Sequence, residues 1–322
     1  MTADLLVQAV VAWFLLLTVT TLTLRASHPL WQSRLRRSAL RGQVIPLLIV
    51  AWAPAILATL MLVGGYSPSL LAVAELAHDH CPHHSGHVHL CLTHVSAATV
   101  TPFGASLMAG WAAWVGSGMW RLLRELRHGA RMGRALHVLQ VALDGDGTCI
   151  VDTPTPVSLT AGVLRPRVFM SRSLMAALSD EQRRAIAAHE QCHARQHHAL
   201  LKLAAALGAL LHTAHVSRSL MSELALACER RSDEAAAATV ADRVTVAAAL
   251  LHTQRALASS SVALLSWQGK LELRVRSLLN HRVRPEARFP HLWVMAASLA
   301  CALALGHALH HSVESTLILL LH

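Results

Sequence analysis

Charge is scarce in this chain, and aromatic residues are scarcer. Only 14% of its 322 residues are charged and 4% aromatic, against 54% apolar, and the mean hydropathy is +0.43. An ordinary soluble domain is not this apolar, and a bare membrane bundle would not hold the charge that collects mid-chain. A mixed protein is expected, with any globular core resting on Leu, Ala and Val. The six cysteines form no C-x-x-C pair, which argues against a cysteine-based structural zinc module. Acidic residues are too few to balance the basic ones, leaving a net charge of +10 carried almost wholly by arginine. Nucleic-acid binding is one reading of such a balance. The arginines cluster beside apolar segments, however, which favours membrane topology and anionic lipid over direct nucleic-acid contact.

Four segments carry no charge over a bilayer-scale length. Residues 5–24 reach about 30 Å as a helix. No basic region precedes them and no small-residue cleavage site follows, so a retained span is expected rather than a signal peptide. Residues 44–63 form a second span, holding Pro46 and Pro54. Residues 103–120 form a third, where Ser106, Ala109, Gly110, Ala112, Ala113 and Gly116 give the spacing of close helix packing. Residues 291–309 form a fourth. The 64–100 connector lacks Lys and Arg altogether. By contrast, 25–43 holds Arg25, Arg34, Arg36, Arg37 and Arg41, and Arg121, Arg124, Arg127, Arg131 and Arg134 follow the third span. The positive-inside rule then puts 25–43 and 121–290 in the cytoplasm, with 64–100 and the C-terminal tail outside. Three parts follow: 1–120 with three spans, 121–290 as a cytoplasmic domain, and 291–322 with the fourth span and tail.

Within 121–290, short β-like runs cover Leu136–Leu143, Cys149–Val151 and Val168–Met170, with a hairpin turn at Asp144–Gly147. From Ser179 the pattern is helical, opening on a capping box of Ser179 with Gln182. Residues 199–211 are too short to span and belong in a core or against the membrane. Further helices are expected over 220–238, 243–258 and 268–280.

The first of these helices carries His189-Glu190-Gln191-Cys192-His193. Imidazoles four apart share a helix face and can meet one cation, with Glu190 beside them as general base for a hydrolytic water. In a chain with 23 histidines this five-residue pattern arises by chance in about one such sequence in twenty. Context raises its weight. Glu229 and Asp233 lie on one face of a later helix, where Glu229 completes a His, His, Glu ligand set and Asp233 can hold a ligand histidine's free N–H. The competing reading of that pair is a solvated face beside Arg230 and Arg231. His197 shares the first helix face and is a rival third ligand, although one straight helix wraps poorly around a tetrahedral ion. Arg230, Arg231, His197 and His198 are candidates to stabilise an oxyanion. Cys192 points away as a packed thiol.

The segments GVLRPRVFMS (162–171), SLMAALSDEQRRAIAAHEQCHARQ (173–196), ELALACERRSDEAA (223–236) and LELRVRSLL (271–279) resemble those of membrane-bound zinc metallopeptidases of the BlaR/MecR antirepressor type. The resemblance covers about residues 130–285. It implies an α-helical membrane protein with four transmembrane helices and a mainly α, α+β zincin-like cytoplasmic metallopeptidase domain in the bacterial inner membrane. It implies zinc on His189, His193 and Glu229, Glu190 as base, Asp233 in support, and an edge strand at Val168–Met170 for extended substrate. It further implies signal transduction by cleavage of a cytoplasmic protein, a winged-helix repressor or the enzyme itself. Two departures stand out. No penicillin-binding domain follows the fourth span, so β-lactam sensing is not expected, and the asparagine-proline pair common between the two site helices is missing over 212–218.

The outward connector reads HDHCPHHSGHVHLCLTH. His78, His80, Cys81, His83, His84, His87, His89, Cys91 and His94 form a candidate site for an extracytoplasmic transition metal, with His310, His311 and His322 on the same side. A loop without metal function, stapled by Cys81 and Cys91, is the plainer alternative. Two rivals to the antirepressor reading remain: a membrane quality-control zinc protease, and a non-catalytic histidine-rich metal receptor.

Overall fold

The computed structural model describes residues 2–37, 44–76, 90–92, 95, 97–258, 264–280 and 290–321. The N-terminal helices are α1 (Thr2–Ala26), α2 (His28–Arg37), α3 (Val44–Gly65), α4 (Ser67–Val73) and α5 (Pro102–Val138). A sheet follows from β1 (Gln140–Leu143), β2 (Cys149–Val151), β3 (Ser158–Ala161) and β4 (Arg167–Ser171). Then come α6 (Arg172–Ala176), α7 (Asp180–Arg195), α8 (His198–Ala209), α9 (Ala214–Val240), α10 (Arg243–Ala258), α11 (Leu264–Leu279), α12 (Pro290–Ala308) and α13 (His310–Leu320).

Among the described residues, two helices are long and apolar enough to cross a membrane. They cover Ala3–Ala26 and Val44–Gly65, with mean hydropathy 2.2 and 2.3. Leu6, Val19 and Leu22 of the first and Ile45, Ile56 and Val63 of the second are exposed. A core helix of a soluble domain would cover such a face, so the pair points to membrane association. Of the four expected spans, two are thereby candidates among the described residues. Residues 103–120 form the first half of α5, where Gly, Ser and Trp dilute the hydropathy and the helix runs on unbroken into its arginines. The described apolar stretch of α12, Ala296–Ala308, is about 20 Å long.

Close packing also lies elsewhere than expected. Nothing approaches Gly110 or Gly116, and Ala109, Ala112 and Ala113 are exposed. The tight contact joins α3 to α12 instead, where a Cβ on Gly64 would strike the Leu303 carbonyl and one on Gly306 the Met61 carbonyl. Pro54 inside α3 cannot donate to the Val50 carbonyl. His212 Nε2, arriving from the α8–α9 connection, donates to Val50 O at 3.0 Å. Left bare, that buried carbonyl would cost about 1–3 kcal/mol.

The same logic fixes the end of α8. Its Ala204 carbonyl accepts from Trp52 Nε1 at 3.0 Å. Leu210 O accepts from Trp114 Nε1 at 2.9 Å, and Leu211 O from Thr21 Oγ1 at 2.9 Å. Donors from α1 and α5 thus satisfy the Leu210 and Leu211 carbonyls just past the helix, and Trp52 of α3 adds a second bond to a carbonyl within it. Val44, Leu47 and Ala51 of α3 pack with Ala205 of α8 and Val216, Leu220 and Leu224 of α9 in one core. The globular part is therefore seated against the N-terminal half of α3.

The sheet order is β1-β2-β4-β3. The Asp144–Gly147 turn forms as expected, with Gly147 at φ +83°, and joins antiparallel β1 and β2. The expected strand over Leu136–Leu143 is half helix, because Leu136 sits in the α5 end and packs into the core with Cys149, Val151 and Phe169. Val168–Met170 belongs to β4, which is interior and buried between β2 and β3. The edge nearest α7 is β3, a strand whose short SLTA sequence gave too little apolar alternation to read.

Candidate metal centre

Helix α7 begins at the expected capping box, where Ser179 and Gln182 satisfy each other's backbone N–H groups. Such a cap is worth about 1 kcal/mol and sets the helical phase. That phase puts His189 and His193 together, with Nε2 to Nε2 at 3.1 Å. Helix α9 crosses α7 and delivers Glu229. One of its oxygens is 3.5 Å from His189 Nε2 and the other 3.6 Å from His193 Nε2.

Both rings are held from behind. His189 Nδ1 lies 2.9 Å from Asp233 Oδ1, an acceptor only, so the proton sits on Nδ1 and the Nε2 lone pair faces the cluster. His193 Nδ1 lies 2.8 Å from His198 Nδ1, and His198 Nε2 is 3.2 Å from Gln196 Oε1. Burial, with His193 and the Lys202 ammonium alongside, pushes the His198 pKa down to about 3, so this ring is neutral. His198 then donates to Gln196 and accepts from His193 Nδ1–H, which turns the His193 Nε2 lone pair inward as well.

Buried charge is compensated locally. Arg274 of α11 donates through Nε and Nη2 to Asp233 at 2.8 and 2.6 Å. Its Nη1 stands 3.1 Å from Glu229. Burial raises the Asp233 pKa, but Arg274 and His189 outweigh it and the carboxyl falls below its usual value. Glu229 is driven well below its usual value, its bonds to His189 and His193 and the nearby Arg274 overcoming burial. Burial opposes charge on His189 too, yet Asp233 and Glu229 raise its pKa to about 9. At neutral pH the metal-free cluster thus holds a proton between these groups.

The donor set fits a divalent metal. Tetrahedral ligands at 2.0–2.1 Å stand about 3.3 Å apart, close to the separations of 3.1, 3.5 and 3.6 Å found here. Glu190 opens onto the same cleft of about 280 Å³. Its carboxylate accepts from Ser158 Oγ at 3.3 Å and Thr160 Oγ1 at 2.9 Å, so edge strand β3 aims it. Lys202 and Arg274 add positive charge to the wall.

The structure thus brings His189, Glu190, His193, Glu229 and Asp233 together. His197 is not among them. Helix α7 ends at Arg195, and His197 turns out in the left-handed region at φ +48°, exposed. Of the four residues considered for an oxyanion, only His198 lines the cleft. Arg274, Lys202, Ser158 and Thr160 were missed. A signal existed for Arg274, since Leu271, Val275 and Leu278 mark the buried face of α11 and an arginine on that face requires a carboxylate partner. Of the outward set, His78, His80, Cys81, His83, His84, His87, His89 and His94 lie outside the described residues. Cys91 is buried, its Sγ 3.5 Å from Ser69 Oγ.

No curated protein and no solved structure matches this chain. Residues 150–274, less than half of the chain but containing every site residue named above, match the family described as Peptidase family M48, and the class this implies is metallopeptidase, a hydrolase.

Proposed function

We propose that the chain is a membrane-associated, zinc-dependent endopeptidase. His189, His193 and Glu229 are the ligands and Glu190 is the general acid–base. The observation that carries this is the convergence of His189 Nε2 and His193 Nε2 on the Glu229 carboxylate, beside Glu190.

Zinc bound there supplies Lewis-acid polarisation and a lowered pKa for water. Glu190 takes the proton of the attacking water and passes it to the departing amine nitrogen. Thr160 and Ser158 keep its oxygens aimed across the cleft. Strand β3 borders that cleft, and its outer edge pairs with no strand among the described residues. An extended polypeptide can add there through backbone hydrogen bonds, which makes the substrate a stretch of unfolded or loop-like protein. Arg25 ends α1, and Arg121, Arg124 and Arg127 follow the apolar half of α5; the positive-inside rule supports a cytoplasmic cleft on this reading.

The test uses the full chain in detergent, parent against Glu190→Gln, with zinc content and cleavage of an unfolded protein both measured. The expected result is equal zinc in both and a loss of cleavage of about 10²-fold or more in the variant. Equal cleavage by both, or neither protein holding zinc, overturns the reading.

A further inference from the structure

A second set of two imidazoles and a carboxylate stands at the far end of α3. The ligand atoms of His310, His311 and Glu314, at the start of α13, all lie within 4.8 Å of one another. His310 and Glu314 are buried, and His311 is exposed. His310 Nδ1 is 2.7 Å from the Gly65 carbonyl oxygen. A carbonyl only accepts, so the proton is on Nδ1 and Nε2 offers a lone pair. That Nε2 lies 3.1 Å from Glu314 Oε1, and His311 Nδ1 lies 3.4 Å from Glu314 Oε2. The Leu90 backbone N–H donates to Glu314 Oε1 at 2.9 Å, which fixes the carboxylate.

Lone pairs facing one another at this range repel unless a cation lies between them. The arrangement repeats the cleft: a ring pinned from behind through Nδ1, its Nε2 turned to a carboxylate, a second imidazole alongside. The 3.1 and 3.4 Å separations again bracket the roughly 3.3 Å edge of a tetrahedral ligand set. We propose that His310, His311 and Glu314 bind a divalent transition-metal ion of the kind that prefers imidazole with carboxylate, such as zinc, copper(II) or nickel.

Three ligands from one helical turn occupy one side of the ion. Val44, at the other end of α3, packs with the core of the globular part, and α3 is about 30 Å long. The two sites therefore sit at opposite ends of the spans. The inference stands independently of the peptidase reading.

The test measures cobalt(II) stoichiometry by its visible absorption, and zinc affinity by competition with a chromophoric chelator. It uses the full chain in detergent with His78, His80, His83, His84, His87, His89 and His94 replaced by serine. The expected result is two equivalents in this background and one after His311→Ala or Glu314→Gln. The double change His189→Ala/His193→Ala removes the other equivalent alone, so failure of either site is read separately. His311 is exposed, so its variant keeps the fold even if Glu314→Gln does not. Two equivalents of unchanged affinity in the His311→Ala protein would overturn the proposal and leave an imidazolium–carboxylate pair only.

Discussion

Replacing Arg274 by methionine tests the electrostatic account of the cleft. The guanidinium makes two bonds to Asp233, at 2.8 and 2.6 Å, and one ion pair to Glu229 at 3.1 Å. Its side chain is 7% exposed, so water cannot take over these contacts. Methionine fills most of the volume but leaves two buried carboxylates short of a partner. Removing one member of a buried pair costs about 3–5 kcal/mol. For a globular part of this size, each kcal/mol moves Tm by about 2–4 °C, so the chelator-treated variant melts about 6–20 °C below the parent. Bound zinc would supply the missing positive charge, so saturating zinc narrows the gap. Arg274→Lys keeps the charge without the fork and falls between. The assay is thermal unfolding in detergent with chelator and with zinc. A variant melting within about 2 °C of the parent in chelator, or a gap indifferent to zinc, would refute the charge-compensation argument.

Three further outcomes are expected. His189 has a raised pKa of about 9, so the metal-free site holds its proton at pH 7 and loses it as pH rises through 9. Metal binding at pH 7 therefore expels about one proton, and apparent affinity climbs about tenfold per unit from pH 7 to 9. Calorimetry in buffers of different ionisation heat measures this, and binding without proton release contradicts it. Thr160→Val removes the 2.9 Å bond to Glu190, so kcat falls about tenfold while zinc content stays level. Reduced zinc in that variant would mean β3 shapes the ligands rather than the base. Gly306→Val drives a side chain into the Met61 carbonyl and lowers thermal stability, whereas Gly110→Val, in open space, leaves it within about 2 °C. Equal loss at both positions would place the close helix contact on α5 after all.

The ligand triad was legible in the sequence because helical periodicity is local arithmetic. His189 and His193 must share a face once Ser179 caps the helix, and Glu229 and Asp233 likewise share one. Their meeting needed only that two helices cross. Arg274 required knowing that α11 returns to the same place, a long-range fact no spacing encodes. The tautomer relay through His198 was hidden for a similar reason, because it depends on His197 breaking the helix in the left-handed region. The first two spans declared themselves by length and hydropathy. Residues 103–120 misled because absence of charge was read as apolarity, when glycine, serine and tryptophan supply little of it. The SLTA strand escaped notice because only its pairing with β4 makes it a strand.

Helix α8 touches both halves of the molecule. It starts at His198, against the ligand His193, and ends beyond Ala205 among tryptophan and threonine donors of the spans. Gly208 meets the Ala51 backbone directly. Ten residues of rise separate His198 from Gly208, about 15 Å. That strut fixes the distance from the ligand cluster to α3 and leaves it little freedom to change. The ligand cluster and the two apolar helices are thereby joined by a rigid element, and a shift of one would be felt by the other.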